Sequence, residues 1–301
     1  MTLDRSRCFR AVVGIFLFIS NLSHADTAIL VALPSEHSTL CREIKIVGQP
    51  VELAQHRISI GYRKGEKLYI VRTGAGNLNS AMTTQALLTR YKIDRVISIG
   101  VAGNLADGEA GSGKSEARSA YAKASADRGR IGDIFIATDV VNHQEGKETA
   151  AGFEAKEKLA TTQSRSEEYL KKCEQLRSNA VEVAQAVLTN EIARQARNDG
   201  PAVRQGRLVS GDSFIASTAK RKWLRETFQA DAVDMVSAGI ARVCEANGVP
   251  YVIVRALSDN ADESASAAFA SFVQNFKEPV TVPIVLALVE RLAAGLSTPA
   301  H

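Results

Sequence analysis

The sequence predicts an α/β fold in which helices cover both faces of a buried, largely parallel sheet. Thr27–Leu33 (TAILVAL) is a continuous apolar run, which is typical of a central parallel strand buried on both faces. Similar runs recur along the chain and alternate with amphipathic helical patterns, the order expected of an α/β sheet. The composition, 45% hydrophobic and 23% charged residues, is that of a globular chain and excludes a disordered or collagen-like one.

Six further apolar runs predict the remaining strands of the sheet. They are Lys67–Thr73, Arg95–Gly100, Gly132–Val141, Gly206–Gly211, Asp231–Met235 and Tyr251–Ser258. Apolar residues at helical spacing predict helices between and after these strands. The helices are predicted at Ser35–Ile46, Asn79–Tyr91, Ser217–Phe228, Ser237–Ala246, Ser264–Phe276 and Val280–Leu296.

Two stretches are predicted to be insertions in one domain that spans residues 26–301. Residues 107–130 are rich in Ala, Ser, Gly and charge, which predicts a surface loop. Residues 163–198 carry apolar side chains at intervals of three or four in a highly charged background. This spacing predicts a long helix with one buried face, or two shorter helices.

The first 25 residues have the organisation of a secretory signal peptide. Three arginines precede the nine-residue apolar run Ala11–Ile19, and Ser23–Ala25 supplies a small-x-small cleavage pattern. The alternative, a membrane anchor, requires about 20 apolar residues. We therefore expect cleavage of residues 1–25, export to the periplasm and no stable membrane contact afterwards.

Charge and cysteine content exclude two further classes. Loss of the leader lowers the net charge from +4 to +2, which is too small a surplus for a dedicated nucleic-acid binder. Cys41, Cys173 and Cys244 are odd in number and widely spaced, so they match neither a zinc pattern nor a disulfide framework. We expect them to be structural and expect no metal or organic cofactor.

Candidate functional residues follow the predicted strands at their carboxyl ends, where α/β sheets bind ligands. Glu36 and Asp259 provide two carboxylates, which can serve as base and acid when their surroundings separate their pKa values. Gly74–Asn77 and Gly100–Gly103 are predicted turns whose glycines let backbone N–H groups approach a ligand. Phe214 would close the site as an aromatic lid.

Each of these residues also has an ordinary structural interpretation. Glu36 suits the first turn of a helix, where a negative charge complements the helix dipole. Asp259 could cap a turn, Gly76 could serve only the turn, and Phe214 could belong to the core. The functional interpretation therefore depends on the order of the motifs.

Six ordered segments resemble the successive motifs of the nucleoside phosphorylase superfamily, especially its 5′-methylthioadenosine/S-adenosylhomocysteine nucleosidase branch. They are Ala32–Glu36, Thr73–Ala81, Ile97–Leu105, Gly129–Asp139, Leu208–Ser217 and Ala232–Asp259. The resemblance implies a nucleoside phosphorylase-like three-layer sandwich with a central mixed, mostly parallel sheet. It also implies a homodimer that acts on a small-molecule purine nucleoside without a cofactor, in nucleoside catabolism or methionine salvage.

The same resemblance assigns roles to individual residues. Glu36 corresponds to the base that activates water, and Asp259 to the acid that protonates N7 of the leaving purine. Ser258 would steady Asp259, and Phe214 would stack on the purine. The substrate-binding residues implied are Gly76, Ala102, Gly103, Phe214, Ile215, Met235 and Ser258. Because the glycosidic bond breaks through a cationic sugar, a carboxylate pair suits the reaction.

The chain departs from the family pattern at the sugar. Val236 stands where the family has a Glu that accepts hydrogen bonds from the ribose hydroxyls. Turnover could be weak, the sugar could differ, or another group such as Asp234 could substitute. Val101, in place of Ser or Thr, favours hydrolysis over phosphorolysis, although Arg255 matches a basic position of the family.

Three functions follow from the sequence. The first is hydrolysis of a purine nucleoside to release adenine, impaired to some degree by Val236. The second is phosphorolysis of a nucleoside. The third is non-catalytic binding of a purine or nucleoside by a protein that retains the fold.

Overall fold

A computed structural model describes residues 25–53, 56–106, 129–155, 165–195, 200–275 and 279–295. The strands are β1 Asp26–Val31, β2 Lys45–Ile46, β3 Val51–Leu53, β4 His56–Arg63, β5 Glu66–Arg72, β6 Arg95–Asn104, β7 Ile134–Asn142, β8 Gly146–Thr149, β9 Gly152–Ala155, β10 Val203–Ser210, β11 Ala232–Asp234 and β12 Tyr251–Asp259. The helices are α1 Pro34–Glu43, α2 Asn77–Arg90, α3 Glu167–Gln195, α4 Thr218–Phe228, α5 Ser237–Asn247, α6 Ala265–Asn275 and α7 Thr281–Ala293.

The main sheet has the order β11-β10-β7-β12-β6-β1-β5-β4-β2, with β3 paired to β4. Strand β1 lies parallel to both β5 and β6, and β12 lies parallel to β6. Antiparallel pairs join β12 to β7, β11 to β6 and β5 to β4. The predicted central mixed sheet is confirmed.

Side chains that alternate along the strands divide the core into the two outer layers of a sandwich. In β1, Ile29 and Val31 belong to the cluster beneath α1, α3 and α7, whereas Ala28 and Leu30 belong to the cluster beneath α2 and α5. The continuous apolar run Thr27–Leu33 is explained by this double burial. The predicted three-layer arrangement is therefore confirmed.

Strand β6 extends four residues beyond its predicted end. Gly100–Gly103, predicted as a turn, is extended strand, so that prediction is wrong. The reason is pairing: Gly103 stands opposite both Asp259 of β12 and Val233 of β11. A Cβ atom at Gly103 would lie only 3.0 Å from Asp259 Oδ1 and 3.2 Å from Val233 Cγ1, so the glycine permits this close approach.

The helix predicted within residues 163–198 is a single helix, α3. Its buried residues Leu176, Ala180, Ala184 and Leu188 pack in the same core cluster as α7. The other predicted helices end within three residues of their expected positions, and α1 ends at Glu43 because β2 follows it.

Two sequence predictions concern residues outside the described ranges. The signal-peptide prediction concerns residues 1–25, of which only residue 25 is described. The surface-loop prediction concerns residues 107–130, of which only 129 and 130 are described. No helix in the described part of the chain has the length and apolar character needed to cross a membrane.

Candidate active site

A mostly apolar cavity lies at the carboxyl ends of the strands, where β11 and β12 both meet the end of β6. Its lining residues come from six strand ends and from α6. They are Ala32, Leu33, Ala75, Val101, Ala102, Gly103, Ser213, Phe214, Ile215, Val233, Asp234, Met235, Val236, Ser258, Asp259 and Phe269. The cavity thus lies at the sheet edge where the sequence analysis expected ligand binding.

The cavity brings together seven of the nine residues assigned to the site. They are Ala102, Gly103, Phe214, Ile215, Met235, Ser258 and Asp259. Glu36 and Gly76 are not in its lining. Gly76 precedes α2 with φ of +96°, and the next N–H, that of Asn77, donates to Asp212 Oδ1 at 2.6 Å. The contribution of Gly76 is therefore to the turn, and its neighbour Ala75 lines the cavity.

The Asp259 carboxyl group lies on the cavity wall at the end of β12. Oδ2 accepts a hydrogen bond from the Ser258 hydroxyl at 2.8 Å, and Oδ1 accepts one from the Ala261 N–H at 2.9 Å. Burial raises the pKa of Asp259, and these two hydrogen bonds oppose the rise. The arrangement holds the side chain in place and favours the proton that an acid must carry.

The Glu36 carboxyl group is fully buried in the first turn of α1. Oε1 accepts a hydrogen bond from the Thr281 hydroxyl at 2.9 Å, and Oε2 accepts one from the Leu33 N–H at 3.2 Å. Burial raises the pKa of Glu36, while the Thr281 hydrogen bond and the Arg255 charge act against that rise. Because Leu33 lines the cavity, Glu36 lies behind this wall rather than on it.

A buried ionic cluster borders the cavity through Asp234, one of its lining residues. Arg255 is fully buried and pairs with Asp234 at 2.9 Å. The guanidinium group makes five hydrogen bonds, to Asp234 Oδ2, Ser98 O, Val254 O, Ser98 Oγ and Ser237 Oγ. Arginine has five N–H donors, so none remains for a ligand.

Asp234 is as fully occupied as Arg255. Its carboxylate accepts the Arg255 bond, the Ser237 hydroxyl at 2.5 Å and the N–H groups of Val236 and Ser237 at 3.3 and 3.1 Å. A carboxylate has about four acceptor positions. These four bonds use the acceptor positions of Asp234 and so do not favour it as a replacement for the family's sugar-binding Glu, which stays a prediction.

Two features of the site had no signal in the sequence. Phe269 of α6 lines the cavity and packs edge-on against Phe214, with ring centroids 5.7 Å apart. His143, just after β7 and outside the cavity lining, is buried against Gly211, and among the described residues neither of its ring nitrogens has a hydrogen-bond partner. Burial and the Lys220 charge lower the pKa of His143 to about 4, so its ring is neutral at pH 7.

Metal-ligating side chains are not clustered in this part of the molecule. Within the described ranges, no group of three or more His, Cys, Asp and Glu residues is positioned to hold a metal ion. Cys41 and Cys173 are partly buried free thiols, and Cys244 is a fully buried one.

The fold and the cavity define a phosphorylase-type α/β sandwich with a small-molecule site at its strand ends. The chain matches the phosphorylase superfamily over residues 26–289 and belongs to that family. The 5′-methylthioadenosine/S-adenosylhomocysteine nucleosidase of Actinobacillus succinogenes is 31% identical over 241 residues, which cover 78% of this chain and 88% of the relative.

Solved structures share this fold. The Neisseria meningitidis 5′-methylthioadenosine/S-adenosylhomocysteine nucleosidase, solved with methylthio-immucillin-A, is 25% identical with a TM-score of 0.64, covering 88% of this chain and 99% of that one. The futalosine hydrolase of Helicobacter pylori shares the fold at 22% identity, with a TM-score of 0.66 over 89% of this chain and 99% of its own.

Proposed function

We propose that the chain hydrolyses the N-glycosidic bond of a purine nucleoside of the methylthioadenosine or adenosylhomocysteine type and releases adenine. The observation that carries this proposal is the Asp259 carboxyl group, held by Ser258 and Ala261 on the wall of an apolar cavity beside Phe214. The nucleosidase similarity of the relatives supports the same reaction class.

In the proposed reaction, protonated Asp259 donates its proton to N7 of the purine. The glycosidic bond breaks, its electron pair leaves with the base, and the sugar becomes a cation at the anomeric carbon. A water molecule attacks this carbon from the opposite face, and Glu36 accepts the water's proton. Adenine and the free sugar are the products, and leaving-group protonation and water activation are each general acid–base steps.

Recognition of the base would use the aromatic end of the cavity. Phe214 is 43% exposed and braced by Phe269, so its ring is available to stack on a purine. The Ile215 backbone would contact the purine edge, and Met235 would pack beneath the sugar. Ala102 and Gly103 on β6 would form the floor.

Water is favoured over phosphate as the nucleophile. Every N–H donor of Arg255 is already bonded within the protein, and the side chain has no exposed surface. A phosphorylase needs cationic or N–H donors for its phosphate. Val101, which has no hydroxyl, lines the cavity at the position discussed above.

A second candidate function is non-catalytic binding of a purine. Its support is the enclosure of Glu36 behind Leu33 together with Val236 in the cavity wall. On the hydrolase proposal, Val236 makes turnover of ribonucleosides slow rather than absent, because the sugar loses an acceptor while Asp259 is retained.

We also propose a homodimer formed through α2. Leu78 and Met82, one helical turn apart, are 70% and 55% exposed, and an apolar groove beside them includes Leu53, Ala86 and Val243. Exposed apolar surface of this kind is typical of an interface. The occupant proposed is a second copy of the chain.

Export is proposed from the N-terminal sequence alone. Residues 1–25 would be removed, and the protein would act on nucleosides in the periplasm. The described helices include none able to span a membrane.

The test is incubation of the protein, starting at Asp26, with methylthioadenosine, adenosylhomocysteine, adenosine and inosine. Each reaction is run with and without phosphate, and free base is measured by chromatography. We expect adenine release at equal rates in both buffers. Strict phosphate dependence would make the protein a phosphorylase, and purine binding without any base release would make it a binding protein.

A further inference from the structure

We propose that this site accepts best a sugar that lacks the 2′- or the 3′-hydroxyl, so that it favours purine 2′- or 3′-deoxynucleosides over ribonucleosides with the same base and 5′ substituent. This inference rests on the proposed hydrolysis at the same site and specifies its substrate class. It arises from the position that the sugar must occupy and from the acceptors present there.

The position of the sugar follows from the two carboxyl groups. The base must lie at Asp259, at the end of β12, and the attacking water must lie toward Glu36, which follows β1. In the sheet, β6 separates these two strands. The sugar therefore lies over the end of β6, at Val101, with Met235 and Val236 among the cavity walls.

Backbone contacts hold Val236 in the wall of this cavity, in the core cluster beneath α2 and α5. Its carbonyl accepts a hydrogen bond from the Ser80 hydroxyl of α2 at 2.8 Å, and its N–H donates to Asp234. Val236 is therefore fixed in the cavity wall next to Met235.

The described lining residues assigned to the sugar position, Val101, Met235, Val236 and Leu33, carry no oxygen or nitrogen acceptor in their side chains. The Asp234 carboxylate, which also lines the cavity, already accepts four hydrogen bonds within the protein. Both Glu36 oxygens already accept hydrogen bonds, and Glu36 lies behind the wall.

A sugar hydroxyl buried here would exchange its hydrogen bond to water for an apolar contact. Leaving such a group without a partner weakens binding roughly tenfold to a hundredfold. A sugar without that hydroxyl avoids the loss and fits the apolar wall. The site therefore discriminates against ribose because a ribose hydroxyl buried there has no hydrogen-bond acceptor.

The chemistry points in the same direction. The reaction is unchanged: water and a purine deoxynucleoside give adenine and deoxyribose, with the proton transfers already described. A hydroxyl beside the anomeric carbon withdraws electrons and destabilises the cationic sugar, so its absence eases bond breaking. A site with few groups to stabilise the sugar cation suits such a substrate.

The test compares kcat/KM for adenosine, 2′-deoxyadenosine, 3′-deoxyadenosine and 2′,3′-dideoxyadenosine. The wild-type protein is expected to favour at least one deoxynucleoside over adenosine by roughly tenfold or more. Because deoxynucleosides are intrinsically more reactive, the decisive quantity is the change in this ratio between variants. Val236→Glu supplies an acceptor and should shift the ratio toward adenosine by roughly tenfold. Val236→Leu, the apolar control, should leave the ratio near the wild-type value.

A wild-type preference for adenosine, or an unchanged ratio in Val236→Glu, would overturn the inference. Calorimetric binding of the same nucleosides to the wild-type protein needs no variant and covers the case in which Val236→Glu does not fold. If the protein binds nucleosides but releases no adenine, the proposed hydrolysis fails. Tighter binding of the deoxynucleosides would then still support the sugar preference, and tighter binding of adenosine would refute it.

Discussion

The two carboxyl groups, Asp259 and Glu36, are in similar surroundings, but only Asp259 is in contact with the cavity. Burial raises the pKa of both, and each oxygen of both groups accepts one protein hydrogen bond. Asp259 lines the cavity, whereas Glu36 lies behind Leu33. The comparison teaches that burial tunes a carboxyl group for proton transfer, but position decides which partner it can reach.

This difference divides the work of the proposed reaction unequally. Asp259 can contact the leaving purine without rearrangement. Glu36 can reach the attacking water only past the cavity wall that contains Ala32 and Leu33. Bond breaking would then depend mainly on protonation of the purine. Variants at the two ends of the cavity should separate these contributions.

Among variants that affect activation of the attacking water, Glu36→Gln should lower kcat the most. The amide cannot accept the water's proton, so kcat should fall roughly a hundredfold. In the wild type, activity should fall as the pH drops through the raised pKa of Glu36, and in the variant this acidic limb should disappear. Initial rates of adenine release from pH 4 to 9 measure both effects. A variant with the wild-type rate would show that Glu36 is a structural residue.

The matched pair Ser258→Ala and Thr281→Val should have smaller effects. Each removes one hydroxyl donor, from Asp259 and from Glu36 respectively. Each loss should raise the pKa of its carboxyl group and lower kcat roughly fivefold. Ser258→Ala should move the basic limb of the pH–rate profile upward, and Thr281→Val the acidic limb. Movement of the same limb by both variants would contradict the division of roles.

His143→Gln should have the smallest effect, confined to stability at acid pH. The folded-state pKa of His143, about 4, lies below the ordinary value of 6.5. The unfolded chain therefore takes up the proton first, and stability is lost as the pH falls from 6.5 toward 4, by up to about 3 kcal/mol. Urea unfolding at pH 7 and pH 5 should show a smaller loss in the variant. His56→Gln, at a partly exposed histidine, is the control, and an equal loss in wild type and His143→Gln would refute the prediction.

The sequence predicted the core strands well because their physical signal is local. Each strand buried on both faces is a continuous apolar run, as Thr27–Leu33 is. Strand β4 was not predicted because its sequence alternates polar and apolar residues and forms no continuous apolar run, although Ile58 and Ser59 are both buried. Gly100–Gly103 was assigned to a turn because its pairing with β11 and β12 is not local.

The sequence predicted the site residues that directly follow a strand, because their order along the chain indicated that they lie at the same edge of the sheet. Asp259 and Phe214 were placed in one cavity on that basis. The Asp234–Arg255 pair was not foreseen, because it joins residues of two strands that approach only where β11 meets β6. The enclosure of Glu36 was also unpredictable, because Thr281 lies 245 residues farther along the chain.

The most direct test of the account is adenine release by Asp259→Asn. The asparagine oxygen can keep the hydrogen bond from the Ala261 N–H, and its NH2 group can donate to the Ser258 hydroxyl, but the amide cannot protonate the leaving purine. We predict that adenine release falls roughly a thousandfold, while calorimetry shows adenine binding within a few-fold of wild type. A variant that binds adenine and releases it from nucleosides at the wild-type rate would contradict the central claim that Asp259 is the acid.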